Sequence, residues 1–194
     1  MYKRARLRLV LFGIGSFIFS GEVLSVLAGQ QGADPGSFTE RVIEMNRAAI
    51  QFGRIAMTRA RGQRVVDFAD VLIRTHELSL HRLKGIESTE ADNLTPEHQK
   101  VKDAFSSSAD SKFDAEFVAV MVHEEQRVIR LLEQEAGITR EGQTGVRHRT
   151  PAIPGSMAEV ARELLPAQEQ LLSKAEDIRR QLESTSQVRE AIER

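Results

Sequence analysis

The chain has 194 residues, enough for one domain with a core of its own. Its 27 basic and 28 acidic residues nearly balance, and nine Phe, one Tyr and no Trp leave it poor in stacking rings, so nucleic acid is not an expected partner. It has no cysteine, which excludes disulfides, thiolate nucleophiles, zinc knuckles and iron–sulfur clusters.

Residues 1–28 have the layout of a secretory signal peptide. Lys3, Arg4, Arg6 and Arg8 form a basic start, Leu9 to Phe19 an apolar run of eleven, and Val26-Leu27-Ala28 a small-residue site with cleavage expected after Ala28. Cleavage removes four basic residues and one acid (Glu22), leaving 23 basic against 27 acidic. The apolar run is shorter than the roughly 20 residues that span a bilayer, and Glu22 interrupts its extension. The expected location is therefore periplasmic or secreted, with no stable membrane span after cleavage. The alternative is a retained anchor that tethers a scaffold. Residues 29–36, Gly-Gln-Gln-Gly-Ala-Asp-Pro-Gly, read as a disordered lead-in.

Four long amphipathic helices follow. Ser37-Phe38-Thr39-Glu40 is a capping box, and Phe38, Val42, Met45, Ala49, Phe52 and Ala56 then recur at spacings of three and four, ending near Arg61-Gly62. Val65, Phe68, Ala69, Leu72, His76, Leu80 and Leu83 make the second stripe, ending near Gly85. So short a link predicts antiparallel neighbours.

The connection 86–111 contains a short helix begun by Thr95-Pro96-Glu97 and closed by Ser106-Ser107-Ser108. The third long helix carries Phe113, Phe117, Val120, Met121, an acid at 124 or 125, Val128, Leu131 and Leu132, with Gly137 as its stop. Residues 138–155 read as a loop, and no run alternates long enough to predict a strand. Ser156-Met157-Ala158-Glu159 is a second capping box; it starts the stripe Val160, Leu164, Ala167, Leu171, Ala175, Ile178 and Leu182. Pro166 predicts a kink, or a handover between two helices. The domain is expected to span 37–183, with 184–194 a polar tail. The fold class is all-α: an antiparallel four-helix bundle with a short extra helix between the second and third.

Few polar side chains fall on the inward stripes. His76 lies between Leu72 and Leu80, where it is either a hydrogen-bonded core histidine or a metal ligand. Glu125, four after Met121 and three before Val128, is the acid expected inside; Glu124 is the alternative, and with His123 otherwise reads as a solvated flank. A His76–Glu125 contact would be a buried structural pair, or half a metal site completed by Glu44 or Glu169. Glu-x-x-His, the repeating unit of two-metal bundles, is absent. His81 turns off the stripe, His98 lies in the connection and His148 in the loop; all three read as weak candidates. No phosphate loop, Gly-x-Ser-x-Gly or His-Glu-x-x-His occurs.

Ala49 to Ala56, Val66-Asp67-Phe68-Ala69 running to His76, Phe113-Asp114, Leu132 to Ala136 and Leu165-Pro166 carry a family resemblance over roughly residues 38–182. The mature chain resembles the bacterial exported ferritin-like bundles catalogued as domain of unknown function 4142. The resemblance implies a ferritin-like four-helix fold, export to the periplasm or cell envelope, and no established activity. That family tends to carry Glu where this chain has Ala49, and His where it has Glu125 and Leu171; only His76 matches.

The expected function is a non-catalytic exported bundle, a binding or stress accessory with no cofactor. The rival is a redox or storage protein holding iron, manganese or zinc at His76 and Glu125. The partner is unspecified, and homo-oligomerisation is left open.

Overall fold

The computed structural model describes residues 37–84, 94–141, 146–149 and 154–192. Among these residues five helices carry the fold: α1 (Phe38–Arg59), α2 (Gln63–Lys84), α3 (Pro96–Ser107), α4 (Phe113–Glu135) and α5 (Met157–Ile192). The expected signal and lead-in at 1–36 lie outside the described residues, as does Gly85.

The predicted start signals act as written at α1 and α3, and at α5 only the Ser156 half of the expected capping box forms. Ser37 Oγ accepts from Glu40 N–H at 3.2 Å, and Glu40 Oε2 accepts from Ser37 N–H at 2.8 Å. Thr95 caps α3, with Pro96 at its first position. At α5, Ser156 Oγ accepts from Glu159 N–H at 3.4 Å, while the Glu159 carboxylate reaches Gly155 N–H. Gly137 ends α4 with φ of 61°, a backbone angle that favours glycine.

α2 returns alongside α1: Asn46 meets His76 at one level, and Gly53 meets Ile73 at another. A Cβ on Gly53 would lie 2.8 Å from Ile73 Cγ1, so glycine sets how closely these helices approach. The link between them is fixed from α4. Asp114 Oδ1 accepts from Arg61 N–H at 3.1 Å and Oδ2 from Gly62 N–H at 2.7 Å. Arg59 ties the same pole together. Its guanidinium donates to the carbonyl oxygens of Phe105 and, at 2.6 Å, Ser108, and lies 5.0 Å from the centre of the Phe113 ring. The final carbonyls of α3, which the helix leaves without partners, are thereby satisfied.

The core divides into two apolar blocks. One gathers Phe52, Phe68, Leu72, Phe105, Phe113, Phe117 and Leu171; Phe105 packs edge-on to Phe52 and Phe113 at ring separations of 5.4 and 5.8 Å. The other gathers Val42, Leu80, Leu83, Val128, Leu132 and Leu164. Between them each long helix contributes a buried polar residue: Asn46 from α1, His76 from α2, Glu125 from α4 and Gln168 from α5.

Three expectations need correction. Within 138–155, expected to be a loop, Ile138–Glu141 (β1) pairs antiparallel with Val146–Arg149 (β2), Ile138 opposite Arg149. Four-residue strands are too short for period-two alternation to show in a sequence. Of the two alternatives at Pro166, a kink or a handover, the handover is corrected: Pro166 sits exposed inside continuous α5. Finally, 184–192 is helical rather than a tail. It holds no Gly or Pro, and the hydroxyls of Ser184 and Thr185 fold back on Gln181 O at 2.9 and 2.8 Å.

Candidate functional site

The polar residues between the two apolar blocks build two histidine bridges of one design. Each histidine spans from α1 to α4, with Nδ1 facing α1 and Nε2 facing α4.

The inner bridge is His76, on α2. Its Nδ1 lies 2.8 Å from Asn46 Oδ1 and its Nε2 2.9 Å from Glu125 Oε1; His76 and Glu125 are both fully buried. The pair expected from sequence is therefore brought together. Asn46 sets the ring's tautomer. Its amide nitrogen donates to Val42 O at 2.6 Å, so its oxygen can only accept and His76 Nδ1 must carry hydrogen. One further proton then lies between Nε2 and Oε1. Whichever atom holds it, the Asn46–His76–Glu125 trio is neutral overall, as such depth requires.

The outer bridge is His98, on α3. Its Nδ1 lies 2.6 Å from Glu44 Oε1 and its Nε2 3.2 Å from Glu124 Oε2. Glu44 Oε1 also accepts from Thr95 N–H at 3.0 Å, anchoring the start of α3 on α1. Arg127 donates to Glu124 at 3.3 Å and to Glu97 at 3.1 Å, adding α4 to the clasp. The edge of the Phe52 ring meets the imidazole at a centroid distance of 5.9 Å.

With a carboxylate on each nitrogen, His98 is a cation. Burial alone would depress its pKa, but the hydrogen bonds and charges of Glu124 and Glu44 outweigh burial and raise it to about 9. Burial acts to raise both glutamates in turn, yet the His98 contact prevails and holds each below its ordinary value. A cation three residues into a helix also opposes the helix dipole, which Glu44 and Glu97 offset. His123, half-buried nearby, is lowered, chiefly by burial.

Two sequence readings are thus corrected. Glu124 is buried and paired, not a solvated flank, because α3 covers that side of α4 and widens the arc of α4 that faces inward. His98, read as weak, is a central residue. Its signal was its spacing: His98, Val101 and Phe105 are the three buried residues of α3, on one stripe. Glu44 serves His98 rather than His76, and on α5 it is Gln168, not its neighbour Glu169, that enters the central layer.

The donor set does not fit a two-metal centre. On each histidine both nitrogens already face protein oxygens, and the two carboxylates at His98 approach opposite sides of the ring, so they cannot converge on one ion. Among the described residues no three His, Cys, Asp or Glu side chains are grouped to hold a metal. Two open clefts of about 270 and 450 Å³ lie between α2 and α5, lined by residues such as Arg64, Phe68, Val65 and Ile178, and neither reaches either histidine.

Residues 25–149 match the family described as Domain of unknown function (DUF4142). The chain belongs to the DUF4142 family. The matched stretch contains α1 to α4 and with them both histidine bridges, whereas α5 lies beyond it. No curated protein and no solved structure matches the chain. No helix among the described residues of this DUF4142 protein is long and apolar enough to cross a membrane.

Proposed function

We propose that this DUF4142 protein is an exported, non-catalytic, ferritin-like antiparallel four-helix bundle that serves in the periplasm, or as a secreted protein, as a binding or stress accessory. The observation that carries the reading is the internal use of both histidines: all four ring nitrogens face partners within the chain. A general base or an open metal ligand needs a nitrogen turned toward substrate or ion. Export rests on the basic start, the apolar run of eleven and the Ala28 site.

The test is intact mass and metal content of the protein recovered from the envelope fraction. A mature start near Gly29, with metal well below one equivalent, supports the proposal. Stoichiometric iron, manganese or zinc that disappears in His76→Ala overturns the non-catalytic reading, and a retained amino terminus overturns the cleaved-export reading.

A further inference from the structure

Arg64, Ile178 and Gln181 line both clefts between α2 and α5, so the two join into one groove along α5 from Lys174 to Thr185. Its apolar floor comes from Val65, Phe68 and Val71 of α2 and from Ile178 and Leu182 of α5. The groove ends at a pole of the bundle: Gly62 lines it together with Ser184 and Thr185, and Asp114, at the start of α4, holds Gly62. Among the described helices α5 alone runs on, from Ser186 to Ile192, roughly 10 Å further at 1.5 Å per residue.

That end leaves Val188 and Ile192 exposed, at 59% and 79%. Lys174, Ile178, Gln181, Thr185, Val188 and Ile192 follow at alternating steps of four and three, the spacing of a coiled-coil seam. The first four line the groove, so the last two carry the groove-facing stripe past the pole. They cannot fold back into it. Beyond Pro166, α5 holds no Gly or Pro and is continuous helix to Ile192. The stripe can meet such a groove only on another molecule.

We infer that two copies of the chain pair about a twofold axis, the projecting end of α5 in each lying antiparallel in the α2–α5 groove of the other. With the axis between Gln181 and Thr185, the seam register sets Val188 of each copy at the level of Ile178 of the other, and Ile192 at the level of Lys174. Those levels belong to the cleft walled on α2 by Phe68 and Val71. Charge agrees with this occupant. The groove sets Arg64 and Lys174 against Asp67 and Asp177, and Ser186 to Ile192 holds one base and one acid, so neither side carries net charge. A strongly charged partner gains nothing from such a rim. Each copy gives one end and receives one, so the interface closes at two copies.

Sedimentation velocity on the purified protein tests the pairing. The expected result is a species of twice the chain mass, falling to the chain mass in Val188→Glu/Ile192→Glu. Both residues are exposed in the single chain, so the variant should keep its helicity by circular dichroism. The chain has no cysteine, so the placement is read from a mixture of Lys174→Cys and Ile192→Cys proteins, which should oxidise to the mixed disulfide. A wild type that stays at the chain mass overturns the inference, as does a dimer that survives the double substitution. So does a mixture that gives only homodisulfides, which would set like positions against each other. If the double variant does not fold, the mixture decides alone.

Discussion

The inner and outer histidine bridges share a geometry and differ in one acceptor. Both rings span α1 to α4, but α1 offers His98 a carboxylate, Glu44, and offers His76 an amide, Asn46, two residues further on. That single difference sets the charge. The outer histidine is a cation between two anions, close enough to the surface for Arg127 to join, and the Glu44 side chain keeps 19% exposure. The inner bridge, with His76 and Glu125 at 0–1% exposure, has one acid fewer and is neutral as a group. Charge is tolerated where water and a second cation help to hold it; in the bundle centre only balanced polarity survives.

Removing one partner of the inner bridge should have the largest effect. His76→Leu leaves Glu125 and the Asn46 oxygen buried without donors. It is expected to cost about 3–5 kcal/mol in urea unfolding, as for other broken buried pairs. His76→Leu/Glu125→Leu should recover more than half of that loss, because the buried acid goes with its partner. If the double variant is as unstable as the single one, packing rather than pairing dominates the inner bridge.

The outer bridge should separate from the inner one by pH. The pKa of His98 is raised above its unfolded value of about 6.5, so its contribution is complete below that pH and is lost as pH rises through about 9. The loss amounts to up to roughly 3 kcal/mol over that window. Glu44 and Glu124 are lowered, so their contribution is present above about 4.5 and fades as pH falls through their folded values. Chemical denaturation of the wild type at a series of pH values should show the alkaline decline, and His98→Gln should flatten it. Leaving that slope intact in His98→Gln would assign it to another group.

Both bridges were only partly legible in the sequence, and for one reason. Asn46 lies four after Val42 and three before Ala49; Gln168 lies four after Leu164 and three before Leu171. Glu125 has the same relation to Met121 and Val128, His76 lies four from both Leu72 and Leu80, and all four sit on the inward stripe. A stripe read from its apolar members omits polar residues unless their chemistry stands out, as it did for His76 and Glu125 but not for an amide. His98 was hidden differently: its helix lies in a connection, and sequence alone gave no reason to expect that helix to cover α4. The long helices and their capping boxes were readable because each depends on residues within one or two turns.

Substitutions away from the layer sharpen the contrast by leaving both bridges intact. Asp114→Ala frees two backbone donors at the α1–α2 link and should cost about 1–3 kcal/mol, with the alkaline slope unchanged. Ser37→Ala, which opens the first capping box, should cost about 1 kcal/mol, again with no change in pH dependence. Either slope changing would mean that the bundle responds to pH through something other than His98.

The most direct measurement is nitrogen-15 NMR of the two imidazole rings across a pH titration of the folded protein. His98 should keep hydrogen on both nitrogens until the pH approaches about 9, and His76 should keep hydrogen on Nδ1 wherever the bundle remains folded. A His98 that titrates at its ordinary 6.5, or a His76 with a bare Nδ1, would contradict the two-bridge account.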